Sequence, residues 1–233
     1  MAHSFLEKTR GKLIVSCQAL PEEPLYSSFI MAKMAVAAVS GGAAGIRANS
    51  VADILAIRRA VSVPMIGIIK KEYPDSSVFI TPTIKEVLAV CDTGVEVVAM
   101  DGTNRMRPSD ELLADILQQA KSRFPETLFM ADISTVQEVE LAEKLGFDLV
   151  ATTLYGYTEQ TAGQNIADND FRFLKEVLQT AKLPVLVEGK IDTPEKAKMA
   201  LALGGTSVVV GGAITRPQEI TARFASKLNE MTK

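Results

Sequence analysis

The segment Val208-Val209-Val210-Gly211-Gly212-Ala213-Ile214-Thr215-Arg216-Pro217 is a β-branched apolar run that stops on two glycines and turns at once into a helix-like stretch. Seven earlier apolar runs follow the same grammar, each stopping on a polar or charged residue: Gln18, Arg47, Lys70, Asp101, Asp132, Thr153 and Glu188. The steps between stops range from 21 residues (Asp132 to Thr153) to 35 (Thr153 to Glu188), the size of one strand plus one returning helix. Eight such units predict an α/β fold, a single-domain (β/α)8 or TIM barrel over residues 1–233 with 1–11 as an N-terminal lead-in. In that architecture the carboxyl ends of all strands converge on one face, so the eight stops form a candidate active site. The main competitor is a doubly wound open sheet, which also alternates strands and helices. After Cys17 the chain reads Gln18-Ala19-Leu20-Pro21, without the glycines that let a backbone approach a pyrophosphate, and this favours the barrel.

Local signals agree. Pro64 to Ile69, Val95 to Met100 and Val208 to Val210 are continuous apolar runs, as strands covered on both faces require. Thr83 with Glu86 and Ser134 with Gln137 read as capping boxes, and Pro194 follows Thr193 at a first helical position. Gly146 and Gly204 stand where a left-handed residue ends a helix. Leu112, Leu113, Ile116, Leu117, Ala120 and Phe124 form an apolar stripe, with Asp115, Gln119 and Lys121 turned outward. The Ala- and Met-rich stretch from Ser28 to Val39 has no clean polar face. It predicts a tightly packed helix, either inside the monomer or at a subunit contact, which leaves a homo-oligomer open.

Composition narrows the function classes. A net charge of -3 with interspersed signs offers no basic face for nucleic acid and no polybasic membrane anchor, so a small molecule is the expected partner. Met34 to Ile46, the least polar stretch, is too short to span a bilayer, and charges at Glu7, Lys8, Arg10 and Lys12 interrupt any signal-peptide form. Cys17 and Cys91 sit in or beside apolar runs, as small buried residues do in a reducing compartment, and the expectation is a soluble cytoplasmic protein. The only histidine is His3, and no close cysteine pair exists. A zinc or iron site is therefore not expected, nor a hydrolase that needs histidine as base; carboxylates alone remain able to hold magnesium. No cofactor is expected.

Proton transfer by lysine and glutamate is what remains. The glycine pair Gly211-Gly212, with Arg216 following and Gly189 ending strand seven, is a phosphate-site pattern, because bare backbone amides close on an anion and barrels hold phosphate after strands seven and eight. Its plain alternative is a tight turn that needs glycine and holds nothing. Lys70 is a useful base only if burial or a neighbouring cation such as Arg47 lowers its pKa; otherwise Lys70-Lys71 is a solvated pair. Glu188 closes a very apolar run and is a candidate general acid or base, or else a carboxylate neutralised by Lys190 or Arg216. Asp132 has the same placement. Asp101-Gly102-Thr103 reads more as a turn.

Taken in order, Ser16-Cys17-Gln18-Ala19-Leu20, Gly45-Ile46-Arg47-Ala48-Asn49, Gly67-Ile68-Ile69-Lys70, Ile80-Thr81-Pro82-Thr83, Met130-Ala131-Asp132-Ile133, Thr152-Thr153-Leu154-Tyr155-Gly156-Tyr157-Thr158, Val187-Glu188-Gly189 and the segment from Val210 to Pro217 resemble the bacterial N-acetylmannosamine-6-phosphate 2-epimerases, within the phosphate-binding barrel group. The resemblance covers nearly the whole chain. It implies interconversion of N-acetylmannosamine 6-phosphate and N-acetylglucosamine 6-phosphate, an isomerase step in the use of amino sugars such as sialic acid. It further implies Lys70 and Glu188 as the catalytic pair, Gln18, Arg47 and Asp132 as holders of the carbonyl, acetamido and hydroxyl groups, and Thr153 and Tyr155 as further substrate contacts. Gly189, Gly211, Gly212 and Arg216 would take the phosphate. Two other readings fit the same residues: another phosphosugar isomerase or a lyase using Lys70 as a Schiff base, and a non-catalytic phosphosugar-binding protein.

Overall fold

Strand β1 (Leu13–Cys17) pairs with β2 (Gly45–Asn49) on one side and with β8 (Ser207–Val210) on the other, which closes the sheet and rules out the open alternative. Between them β3 (Met65–Ile68), β4 (Val97–Asp101), β5 (Leu128–Asp132), β6 (Leu149–Ala151) and β7 (Val185–Val187) follow in chain order, all parallel. The computed structural model describes residues 2–230, with side chains from residue 4 onward, so the side chain of His3 lies outside the described residues. The outer layer consists of α1 (Ala2–Thr9), α2 (Ser28–Ser40), α3 (Val51–Ala60), α4 (Ile84–Cys91), α5 (Leu113–Arg123), α6 (Gln137–Leu145), α7 (Asp168–Thr180), α8 (Pro194–Ala202), the single turn α9 (Gly212–Thr215) and α10 (Pro217–Asn229).

The strand period of two decides what faces where. Ile14, Ile66, Ile68, Val97, Ala99, Leu128, Met130, Leu149, Ala151, Leu186 and Val209 pack together inside the barrel. The alternate residues, among them Ile46, Met65, Val98, Phe129, Val150 and Val187, pack outward under the helices. In six of the eight strands the stop lies two residues beyond the last interior side chain: Ile68 leads to Lys70, Ala99 to Asp101, Met130 to Asp132, Ala151 to Thr153, Leu186 to Glu188 and Val209 to Gly211. Parity alone therefore carries the site residues to the inner wall at one end. Gly67 is the outward exception in β3. A Cβ there would meet Val90 Cγ1 at 2.6 Å and Ile54 Cδ1 at 3.0 Å, so its absence lets α3 and α4 seat closely.

The lead-in forms a helix of its own. Phe5 of α1, fully buried, belongs to the interior cluster, while the Gly11 amide donates to Thr206 O at 2.8 Å and the Ser207 hydroxyl to Thr9 O at 2.9 Å. The capping box at Thr83 and Glu86 forms, and Gly146 ends α6 at φ 87°. The expected Ser134–Gln137 box does not: Glu138, one residue further, reaches back to the amides of Ser134 and Thr135 at 2.6 and 2.9 Å. Leu112 also departs from its stripe. It precedes α5 and is exposed, leaving Ile116, Leu117 and Ala120 as the buried face. Among the described residues no helix is long and apolar enough to cross a membrane.

Candidate active site

A cavity of about 600 Å³ opens at the carboxyl ends of the strands, and Gln18, Arg47, Lys70, Thr153, Glu188, Gly189, Gly211, Gly212 and Arg216 all line it. At its floor lies a guanidinium. Arg47, 1% exposed, donates through Nη1 to Asp132 Oδ1 at 3.1 Å and Glu188 Oε2 at 2.8 Å, and through Nη2 to Asp132 Oδ2 at 2.5 Å. One cation thus serves two buried carboxylates, so their negative charge is only half compensated. The Thr153 hydroxyl lies 2.7 Å from Asp132 Oδ1 and 3.1 Å from Glu188 Oε2. A hydroxyl has one hydrogen, so both contacts are full hydrogen bonds only when one of the two carboxyls carries a proton and donates it to Thr153. The electrostatics agree with this: burial pushes the Glu188 carboxyl above its usual range, Arg47 pulls it back and Asp132 pushes it up again.

Thr152 fixes the backbone of this acid, its hydroxyl donating to Glu188 O at 2.7 Å and accepting from the Glu188 amide at 3.1 Å. Lys70 is held in the same way, by the Asn49 side-chain oxygen accepting its backbone N–H at 2.7 Å. No partner among the described residues takes the Lys70 ammonium. Burial lowers its pKa first, and the neighbouring Arg47 and Arg216 lower it further. Lys71 goes the other way, into solvent and a 3.2 Å pair with Glu86, so the two adjacent lysines differ in exposure and in charge environment. Gln18 donates through Nε2 to Ser16 Oγ at 2.7 Å and leaves its buried Oε1 without a partner.

Across the cavity the chain leaves β8 through Gly211 (φ −107°, ψ −103°) and Gly212 into α9. The Thr215 hydroxyl ties this turn to Ser16 O at 2.8 Å, joining the ends of β8 and β1. Gly189, at φ 109°, packs where a Cβ would sit 3.2 Å from Thr152 O, and the Glu219 carboxylate lies against Gly212 where a Cβ would be, so as packed neither position admits a side chain. Arg216 lines the same wall, with part of its fork on Glu23.

Two expected contacts lie elsewhere. Asp132 is fully buried beneath Arg47 and does not line the cavity; as a hydroxyl holder it is corrected to a support for Arg47 and Thr153. Tyr155 turns outward, stacked on Phe173 of α7 with ring centroids 3.8 Å apart and planes 4° from parallel, and its hydroxyl bonds Gln164. Tyr157 lines the cavity in its place. Glu188 pairs with Arg47, not with Lys190 or Arg216: Lys190 donates to Gln164 O at 2.6 Å and Arg216 pairs with Glu23. Ser16, Thr152 and Asn49 were not foreseen. Ser16 and Asn49 share the inward parity of Gln18 and Arg47, which is the signal that finds them. Among the described residues no group of three or more metal-ligating side chains is gathered.

A closed barrel whose mouth sets Lys70 and Glu188 against a glycine-lined wall defines a (β/α)8 protein. A family model described as "Putative N-acetylmannosamine-6-phosphate epimerase" matches residues 31–230, and the chain belongs to that family. A relative from Listeria monocytogenes, named "Putative N-acetylmannosamine-6-phosphate 2-epimerase", is 60% identical over 99% of this chain and 98% of its own length. One of the same name from Lactiplantibacillus plantarum is 59% identical over 98% of this chain and 100% of its own. The solved N-acetylmannosamine-6-phosphate 2-epimerase from Clostridium perfringens superposes with a TM-score of 0.90 at 52% identity, covering 95% of both chains. A thiamine phosphate pyrophosphorylase from Pyrococcus furiosus, 16% identical with a TM-score of 0.58 over 90% of this chain and 89% of its own, shares the fold.

Proposed function

We infer that this protein is an isomerase that interconverts N-acetylmannosamine 6-phosphate and N-acetylglucosamine 6-phosphate, inverting C2 of the ring-opened sugar, as a step of amino-sugar and sialic acid use. The observation that carries the chemistry is that Lys70, its ammonium without a partner among the described residues, and Glu188 line one cavity; burial draws the amine toward its neutral form and the carboxyl toward its acid form. Opening the ring places C2 beside an aldehyde, so its proton is acidic enough to leave as an enolate forms. Lys70 takes that proton on Nζ. Glu188, whose carboxyl burial pushes toward the acid form, donates to oxygen during ring opening or returns a proton to C2.

Arg47, held from below by Asp132, stabilises the developing oxyanion, and Gln18, on the cavity wall, holds the acetamido group. Gly189, Gly211, Gly212 and Arg216 receive the phosphate, which sets the sugar's register relative to Lys70. One lysine with a rotating intermediate and two groups on opposite faces of C2 are equally balanced schemes; in each the proton lost at C2 is replaced from an enzyme acid. All 233 residues act as one catalytic domain, and buried Cys17 and Cys91 suit a cytoplasmic protein.

The test is a proton NMR time course with N-acetylmannosamine 6-phosphate in deuterated water. The protein is expected to form N-acetylglucosamine 6-phosphate with deuterium at C2. Lys70→Ala should slow exchange by roughly 10³-fold or more while the substrate still binds. Unchanged exchange in Lys70→Ala removes lysine from the mechanism, and a borohydride-trapped adduct on Lys70 would replace epimerisation with Schiff-base chemistry.

A further inference from the structure

Arg216 occupies the wall of the cavity, and a neighbour on the far side of its guanidinium sets its attitude. Glu23, from the loop between β1 and α2, accepts from Arg216 Nε at 2.6 Å through Oε1 and from Nη2 at 3.2 Å through Oε2. The same carboxylate accepts from the Leu20 amide at 2.7 Å and from Gln218 Nε2 at 3.1 Å. Four donors thus converge on one acid that is only 16% exposed, so Glu23 is a fixed anion and not a mobile surface charge. Its pKa falls below the ordinary value, because the bonds from Arg216 and Leu20 outweigh the upward push of burial.

Arg216 keeps Nη1 free of any partner among the described residues, on a side chain that lines the cavity. By contrast Glu219, 56% exposed, touches Arg216 only at 3.5 Å. Leu20 lies two residues beyond Gln18, so the Glu23 carboxylate links the phosphate wall to the loop that leaves Gln18.

Resting on the phosphate reading of that wall, we propose that Glu23 is a positioning residue for substrate binding: it pins the Nε edge of Arg216 so that Nη1 faces the phosphate, and it sets the loop beside Gln18. Pinning removes the rotamer freedom that a long side chain otherwise loses on binding, so the benefit appears in affinity for the phosphorylated substrate and little in the chemical step.

The experiment measures kcat and KM for N-acetylmannosamine 6-phosphate in the wild type, Glu23→Gln, Glu23→Asp, Arg216→Ala and the Glu23→Gln/Arg216→Ala double variant. Glu23→Gln is expected to raise KM about 10-fold with kcat held within about threefold, and Glu23→Asp to recover part of the loss. In the Arg216→Ala background Glu23→Gln should add less than about twofold, since the residue acts through the arginine. An unchanged or lowered KM in Glu23→Gln, an equal penalty in both backgrounds, or a loss confined to kcat overturns the proposal. If Arg216→Ala itself leaves KM unchanged, it is the phosphate reading that fails. Should Glu23→Gln not fold, Glu23→Asp with and without Arg216→Ala gives the same cycle, with the same outcomes deciding.

Discussion

Asp101 at the end of β4 and Glu188 at the end of β7 each stand beside an arginine, and they spend it differently. At β4, fully buried Asp101 accepts from the Thr103 amide at 2.9 Å, the Thr103 hydroxyl at 2.6 Å and Arg105 Nη2 at 2.5 Å. Arg105 continues to Ser77 O at 2.9 Å, and Arg107 reaches Pro82 O at 2.9 Å, so this side of the mouth is a set of closed contacts between the loops after β3 and β4. At β7, Glu188 shares its arginine with Asp132, and the amine of Lys70 near it has no partner. One carboxylate is saturated and the other is under-compensated. A saturated group holds structure; an under-compensated one can change its proton, which is what acid–base chemistry needs.

The largest expected contrast is between the two acids themselves. Glu188→Gln should lower the rate of C2 epimerisation by about 10²–10⁴-fold, while Asp101→Asn keeps turnover within about threefold and loses roughly 1–3 kcal/mol of stability. Parallel epimerisation assays and denaturant melts decide this, and a catalytic collapse in Asp101→Asn would erase the distinction. Next come the arginines. Arg47→Met leaves two buried carboxylates without their cation and should cost about 3–5 kcal/mol by urea unfolding, whereas Arg105→Met, which frees one acid that keeps its threonine bonds, should cost about half of that or less.

Much of this contrast is legible in the sequence, and the reason is geometric. A period of two fixes which residues face inward, so the eight strand ends, and Lys70 and Glu188 among them, follow from the pattern of apolar runs. Past a strand end that rule lapses. Tyr155 and Tyr157 both lie in the loop after β6, and packing against Phe173, not sequence, sends the first away from the cavity. The burial of Asp132 beneath Arg47 depends on a side chain from β2 reaching across the barrel, a contact 85 residues apart with no local signature. Arg216 and Glu23 are 193 residues apart, and a reading of the glycine turn alone cannot supply that partner.

A third comparison sets the Arg47 floor of the cavity against the glycine wall, to which a phosphate role is proposed. Arg216→Ala should raise KM for the phosphorylated sugar about 10–100-fold, the worth of one charge-assisted contact, with little effect on binding of unphosphorylated N-acetylmannosamine. Isothermal titration with both sugars checks it, and equal losses for both would contradict a phosphate role. The smallest effect concerns Lys70. Its folded pKa is depressed by burial below 10.5, so in the window between the two values the unfolded chain binds more protons than the folded one, and stability rises with pH there. Lys70→Met removes that penalty: at pH 7 its melting temperature should exceed the wild type's by about 2–4 °C, and the gap should close as the pH approaches the unfolded value. Melting curves across that range test the sign.

The seam between β8 and β1 has a bearing on biosynthesis. Ser207 bonds Thr9 across 198 residues and Thr215 bonds Ser16 across 199, so the first strand has no second neighbour until nearly the whole polypeptide has left the ribosome. A nascent chain halted at β7 would expose an open ribbon edge on each side and lack the Gly211-Gly212 wall, so the cavity is complete only with the last strand translated.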